Sequence, residues 1–141
     1  MDTEAELSGE ELFAGLGPAA RGIHISTPGV PLQRLGPAGR RFVDEFGATQ
    51  PGGIVTLDAV YAAQATEVLL DAIARSDGSR ASVTRALLAT RIEDGLIGDV
   101  SFDADGDVRP RPYVIVRISR HTNNFNGVLP DGSNIAAVMS P

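Results

Sequence analysis

The sequence predicts an α/β fold, and three observations predict it. Apolar residues recur at helical spacing through the middle of the chain, from about residue 37 to 90. Stretches that alternate every second residue flank that middle, at 22–27 and from Gly98 onward. Gly, Pro, Asn and Asp gather at the junctions. The order is not a clean strand–helix–strand series, because three helical segments fall between the first strand and the next ones. A complete doubly wound domain alternates more regularly. The expected architecture is therefore α/β with pieces missing.

The elements follow from local signals. Ser8 and Glu11 form a capping box ahead of Leu12 and Phe13, which predicts a short helix stopped by Gly15, Gly17 and Pro18. Residues 22–27 read as a strand with Ile23 and Ile25 on one face and His24 and Ser26 on the other, closed by Pro28 and Gly29. Pro37 suits the first turn of a helix. Phe42 and Phe46 share one face of it, and Gly47 is its expected stop. Gln50 to Gly53 reads as a loop. The clearest helix starts near Asp58, a good N-cap residue, with Tyr61, Ala65, Val68, Leu69 and Ala72 as its apolar stripe. Gln64, Glu67, Asp71 and Arg75 fall opposite, and Asp71 and Arg75 pair in the favourable acid-first order. Asp77 and Gly78 end that helix, and Ser79 caps the next, where Val83 and Leu87 face one way. From Gly98 the pattern is β: Val100 and Phe102 alternate, residues 103–107 are turn formers, and residues 113–119 form a strand rich in β-branched side chains. The tail from Arg120 is weakly patterned.

Composition narrows the function classes. The chain has 141 residues, 43% apolar and 21% charged, which suits one globular domain. A net charge of −6 and only 5% aromatics, with no Trp, argue against a nucleic-acid partner. No Cys is present, which removes disulfides, thiolate metal sites and Cys nucleophiles. Met1 to Glu6 is acidic and lacks an apolar core, so no secretory signal is expected in this chain. No run of about 18 apolar residues predicts a membrane span.

Six pieces in order, at characteristic spacings, carry a family resemblance. They are the strand Ala20-Arg21-Gly22-Ile23-His24-Ile25, the helix from Gly39 to Phe46, Tyr61-Ala62-Ala63, the turn Asp77-Gly78-Ser79 with the helix around Val83, the hairpin from Gly98 through Phe102-Asp103 to Gly106-Asp107, and the strand from Tyr113 to Ile118. Together they resemble type I periplasmic solute-binding proteins of the branched-chain amino acid receptor kind. The resemblance implies an incomplete two-lobed clamshell. Residues 1–33 and 112–141 would be pieces of the C-terminal lobe and residues 34–111 a piece of the N-terminal lobe. It also implies a small polar solute or anion as ligand, the permease of an ABC transporter as partner, and an extracytoplasmic place of work. It implies neither catalysis nor a cofactor.

Two ligand-contact candidates come with the resemblance. Family members carry a Glu that meets the ligand's ammonium where this chain has Arg21. A cation repels an ammonium, so a cleft-facing Arg21 suits a carboxylate or another anion. Otherwise it is a solvated Arg at the head of a strand. Asp58 stands where the family places a residue near the ligand's side chain, and there an acid favours a polar or cationic group. N-capping is its other, compatible role.

Other motifs carry less. Asp103, Asp105 and Asp107 imitate the start of a calcium loop, but the Gly is misplaced and Val114 stands where the bidentate acid belongs. Gly15-Leu16-Gly17 precedes a strand, whereas a dinucleotide-binding loop follows one. His24 and His121 are isolated, which makes metal or hydrolytic chemistry a poor match.

The leading expectation is a solute-binding receptor component. A ligand-sensing module of a larger protein and a non-binding remnant are the alternatives. With the rest of both sheets absent, the chain alone should be marginal, rearranged or self-associated, since each aliphatic side chain left wet forgoes about 1.5–3 kcal/mol. Denaturant unfolding checks this: a single cooperative transition from a dilute monomer contradicts it.

Overall fold

The structure is a computed structural model in which residues 14–20, 22–117 and 135–139 are described. In chain order the regular elements are β1 (His24–Pro28), α1 (Pro37–Thr49), α2 (Leu57–Ala74), α3 (Arg80–Leu88), β2 (Arg91–Gly95), β3 (Gly98–Phe102), β4 (Val108–Arg109), β5 (Tyr113–Arg117) and β6 (Ile135–Met139). Single 3-10 turns occupy Gly17–Ala20, Leu32–Arg34 and Pro51–Gly53. Of the short helix expected after Ser8, residues 8–13 lie outside the described residues; helical backbone at 14–16 runs into the first 3-10 turn. The chain divides into two compact units: Met1–Gln33 with Pro112–Pro141, and Arg34–Arg111.

The first unit is built on an antiparallel sheet in the order β1–β5–β6. Its centre is the β-branched run Val114-Ile115-Val116. Val114 and Val116 are fully buried, and their neighbours across the ladder are Thr27 and Ile25 on β1. Pro28 ends β1, where its missing N–H costs no ladder bond, and Gly29 N donates to the Pro112 carbonyl at 2.8 Å. β6 was not legible in the tail. It pairs Val138 with Val114 and Ile135 with Val116, across a register shift between Ile115 and Val116.

The second unit packs α1, α2 and α3 with the antiparallel strands β2–β3–β4. Pro37 opens α1, as its fixed φ predicts. Phe42 and Phe46 stack with ring centroids 5.3 Å apart. The expected stop at Gly47 is wrong: α1 continues to Thr49. Gly47 is buried instead, 3.3 Å (from its notional Cβ) from both the Gly53 carbonyl and the Val55 side chain, so its role is close approach. Gly39 does the same on a tighter scale, because a Cβ there would collide with the Leu96 carbonyl.

The stripe of α2 also differs from expectation. The buried ladder is Leu57, Val60, Gln64, Val68 and Ala72. Ala65 and Leu69, placed on the core side by the sequence reading, are exposed. Gln64, placed in solvent, is 2% exposed. The reason lies outside the helix. The Gln64 carbonyl accepts from Leu96 N at 2.6 Å, and its amide donates to Glu67 at 3.3 Å. Gly95 leaves the space that the Gln64 oxygen fills. The bond satisfies a backbone donor in the two-residue turn between β2 and β3 that would otherwise cost about 1–3 kcal/mol.

Strand β2 was missed because Arg91, Glu93 and Asp94 make it look like loop. It pairs with β3 through Ile92 and Val100, with a bulge before Gly95 where Asp94 takes φ 53°. An edge strand so charged and bulged resists pairing with further chains.

Replacing Gly39 by Ala tests the packing. In an open helix the change would stabilise by about 0.5–1 kcal/mol. Here the obstacle is backbone, which cannot rotate away, so overpacking at about 1–3 kcal/mol wins. Gly39→Ala should lower stability in unfolding measured at fixed protein concentration; a gain would mean α1 sits farther from Leu96.

Candidate functional site

Of the two ligand-contact candidates, Arg21 lies outside the described residues. Asp58 is described and exposed, in the first turn of α2. It is not the N-cap. Thr56 is, with its hydroxyl accepting from Ala59 N at 3.3 Å. The chain is extended at Thr56 (φ −89°, ψ 158°), as a cap requires. In the sequence Asp58 looks like the cap because Tyr61 looks like the first residue of the apolar stripe. Leu57, buried one turn earlier, starts the stripe instead. Among the described residues Asp58 has no capping role, and its first-turn carboxylate favours the positive end of the helix.

Two other acid-bearing turns are committed to structure. The Asp103 carboxylate accepts from the backbone N–H of Asp107 at 2.9 Å and of Asp105 at 3.1 Å. Arg109 Nε at 3.1 Å and Arg111 at 3.3 Å donate to its second oxygen. Arg111 also pairs with Asp107. The N–H bond from Asp107, then Arg109 and the other donors, hold the Asp103 carboxyl below the ordinary carboxylate range against the opposing effect of burial. These oxygens close a hairpin, which is the reading the misplaced Gly favoured over a calcium loop. Among the described residues no group of three or more His, Asp or Glu side chains is arranged to hold a metal.

At the other end of α2, Arg75 donates to Asp71 at 2.9 Å and to the buried Thr90 hydroxyl at 2.9 Å. The Asp71–Arg75 pair was legible from its spacing. Thr90, fifteen residues farther on, was not. Ser79 caps α3 as expected, accepting from Ser82 N at 3.3 Å. Asp77 accepts from Ser79 N at 2.8 Å, and its hydrogen bonds, that with the Ser79 side chain foremost, lower its pKa.

The pH dependence of the Asp103 hairpin has a definite sign. Its folded pKa is depressed, so the stabilisation is full above the unfolded value. It is lost as pH falls through the lowered folded value. The stability gap between wild type and Asp103→Asn should therefore be flat at neutral pH and close on acidification below the ordinary carboxylate range. A gap that persists unchanged in acid would remove the carboxylate from the account.

Comparison with known proteins supplies the frame for these residues. The profile of the periplasmic binding protein family matches residues 5–124. The leucine-binding protein LivK of Thermotoga maritima superposes with a TM-score of 0.67 at 24% identity, over 94% of this chain and 35% of that one. An ABC transporter substrate-binding protein from Sphaerobacter thermophilus gives a TM-score of 0.55 at 18% identity, over 93% of this chain and 34% of that one. At such identities the likeness speaks for fold. No curated protein matches by sequence. The chain spans about a third of the length of these solved structures, so its fold is that of a type I periplasmic binding protein in incomplete form. With the family profile matched over residues 5–124, the chain belongs to the periplasmic binding protein family.

Proposed function

We propose that this chain contributes to a solute-binding receptor of the ABC-transporter type, holding a small polar solute non-covalently between two lobes. The observation that carries the reading is the family match over residues 5–124. It is supported by two solved structures of similar fold, a leucine-binding protein and an ABC transporter substrate-binding protein. Residues 1–33 and 112–141 serve as pieces of the C-terminal lobe and residues 34–111 as a piece of the N-terminal lobe. The partner is the transporter's membrane permease, and the place of work is extracytoplasmic. The function needs no catalytic group.

The ligand contacts are Arg21 and Asp58. Arg21 offers a planar fork of donors that matches a carboxylate or a similar anion. Asp58, free of capping duty, is available to a polar or cationic group of the ligand. An amino acid with both a free carboxylate and a polar or basic side chain suits the pair better than leucine does. Lobe closure over the ligand selects the liganded state.

Calorimetric titration with neutral, acidic and basic amino acids, with the segment in full-length context, tests this. Arg21→Glu should weaken carboxylate ligands by about 10- to 150-fold, the range for a charged hydrogen bond. Affinities unchanged for every ligand would take Arg21 out of the site. No binding of any amino acid would favour a non-binding remnant.

A further inference from the structure

The backbone crosses between the two compact units at Gln33–Arg34 and again at Arg111–Pro112. The second crossing is closely bounded. Arg109 is still in register with Ser101 across the β3–β4 ladder, and Tyr113 is already in register with Pro28 across β1–β5. Only Pro110, Arg111 and Pro112 lie between them. Both prolines have φ locked by their rings. Pro112 also turns Arg111 away from helical backbone. The Pro112 carbonyl accepts from Gly29 N at 2.8 Å, within the first unit. What stays soft is ψ of Pro110 and the two dihedrals of Arg111.

The Arg111 side chain acts on what remains. Its Nη2 donates to Asp103 at 3.3 Å and to Asp107, both within the second unit. The Asp103 carboxylate is itself fixed by the N–H groups of Asp105 and Asp107. An isolated surface ion pair holds little. Here the turn sets both acceptors in advance, Arg111 is half-buried, and the chain on either side is already restrained. A small force then decides the last dihedrals.

We infer that the second crossing is a strut, with Arg111 as its positioning residue, and that bending between the units falls to the first crossing. There Val30, Leu32, Gln33 and Arg34 each keep both backbone dihedrals, and only Pro31 has its φ locked. The inference concerns the link alone and holds whether or not the chain binds a solute.

Backbone amide NMR relaxation, with the segment in full-length context, tests it. The N–H of Arg111 should match those of Val100 and Val114, with an order parameter of about 0.85 and no millisecond exchange. Gln33 and Arg34 should lie below it. Arg111→Gln and Pro112→Ala should each lower the value at position 111 toward about 0.6 and leave Val100 and Val114 as they were. A wild-type value below about 0.6, exchange at Arg111, or less order at Arg111 than at Gln33 and Arg34 overturns the strut. No change on Arg111→Gln overturns the role of the guanidinium. A fall shared by Val100 and Val114 overturns it too, because Arg111 would then brace the whole fold. The wild-type values decide the strut even should a variant fail to fold.

Discussion

The second unit depends on one long-range hydrogen bond. Gln64 sits in the buried ladder of α2 and accepts the Leu96 amide at 2.6 Å. That fixes the rotation of α2 relative to the β2–β3 turn, because an amide has no tolerance for a one-residue slip that a leucine would forgive. Once α2 is so oriented, Val60, Val68 and Ala72 are committed to the core and Leu69, Leu70 and Ile73 to the outside. The glycines serve the same geometry. Gly95 makes room for the Gln64 oxygen, and Gly39 lets α1 approach the Leu96 carbonyl. One turn is thus contacted from two helices, and each contact relies on a missing Cβ.

What was legible in the sequence is what short range decides. Phe42 with Phe46, Asp71 with Arg75 and Ser79 as the cap of α3 are all settled within about one turn of helix, where spacing alone brings groups together. The strand around Val114 declared itself by composition. What was illegible depends on partners distant in the chain. Gln64 is polar by type and buried by virtue of a residue thirty-two positions away. Charged β2 is a strand because β3 pairs with it, and β6 because β5 does. Gly47 is a stop signal in isolation and a packing contact in place. The candidate site was less legible still. Arg21 and Asp58 came from family resemblance and not from a constellation of chemistry, and the local correction at Thr56 changes what Asp58 has free to offer.

Family membership and the shape of α2 bear on each other. The chain spans about a third of the length of its solved relatives, and its α2 leaves Leu69, Leu70 and Ile73 exposed. The ordinary response of such a helix is to find another surface, because exposed aliphatic area is stabilising only once it is removed from water. The two proposed ligand contacts fall in different units, Arg21 in the first and Asp58 in the second. Within residues 34–111, Arg75 ties the end of α2 to Thr90, and Arg109 ties β4 to the Asp103 turn.

Residue-resolved amide hydrogen exchange tests the Gln64–Leu96 tie most directly. α2 and the β2–β3 hairpin should exchange together as one cooperative unit, tied by Gln64. Exchange of α2 that is independent of the hairpin would contradict that tie.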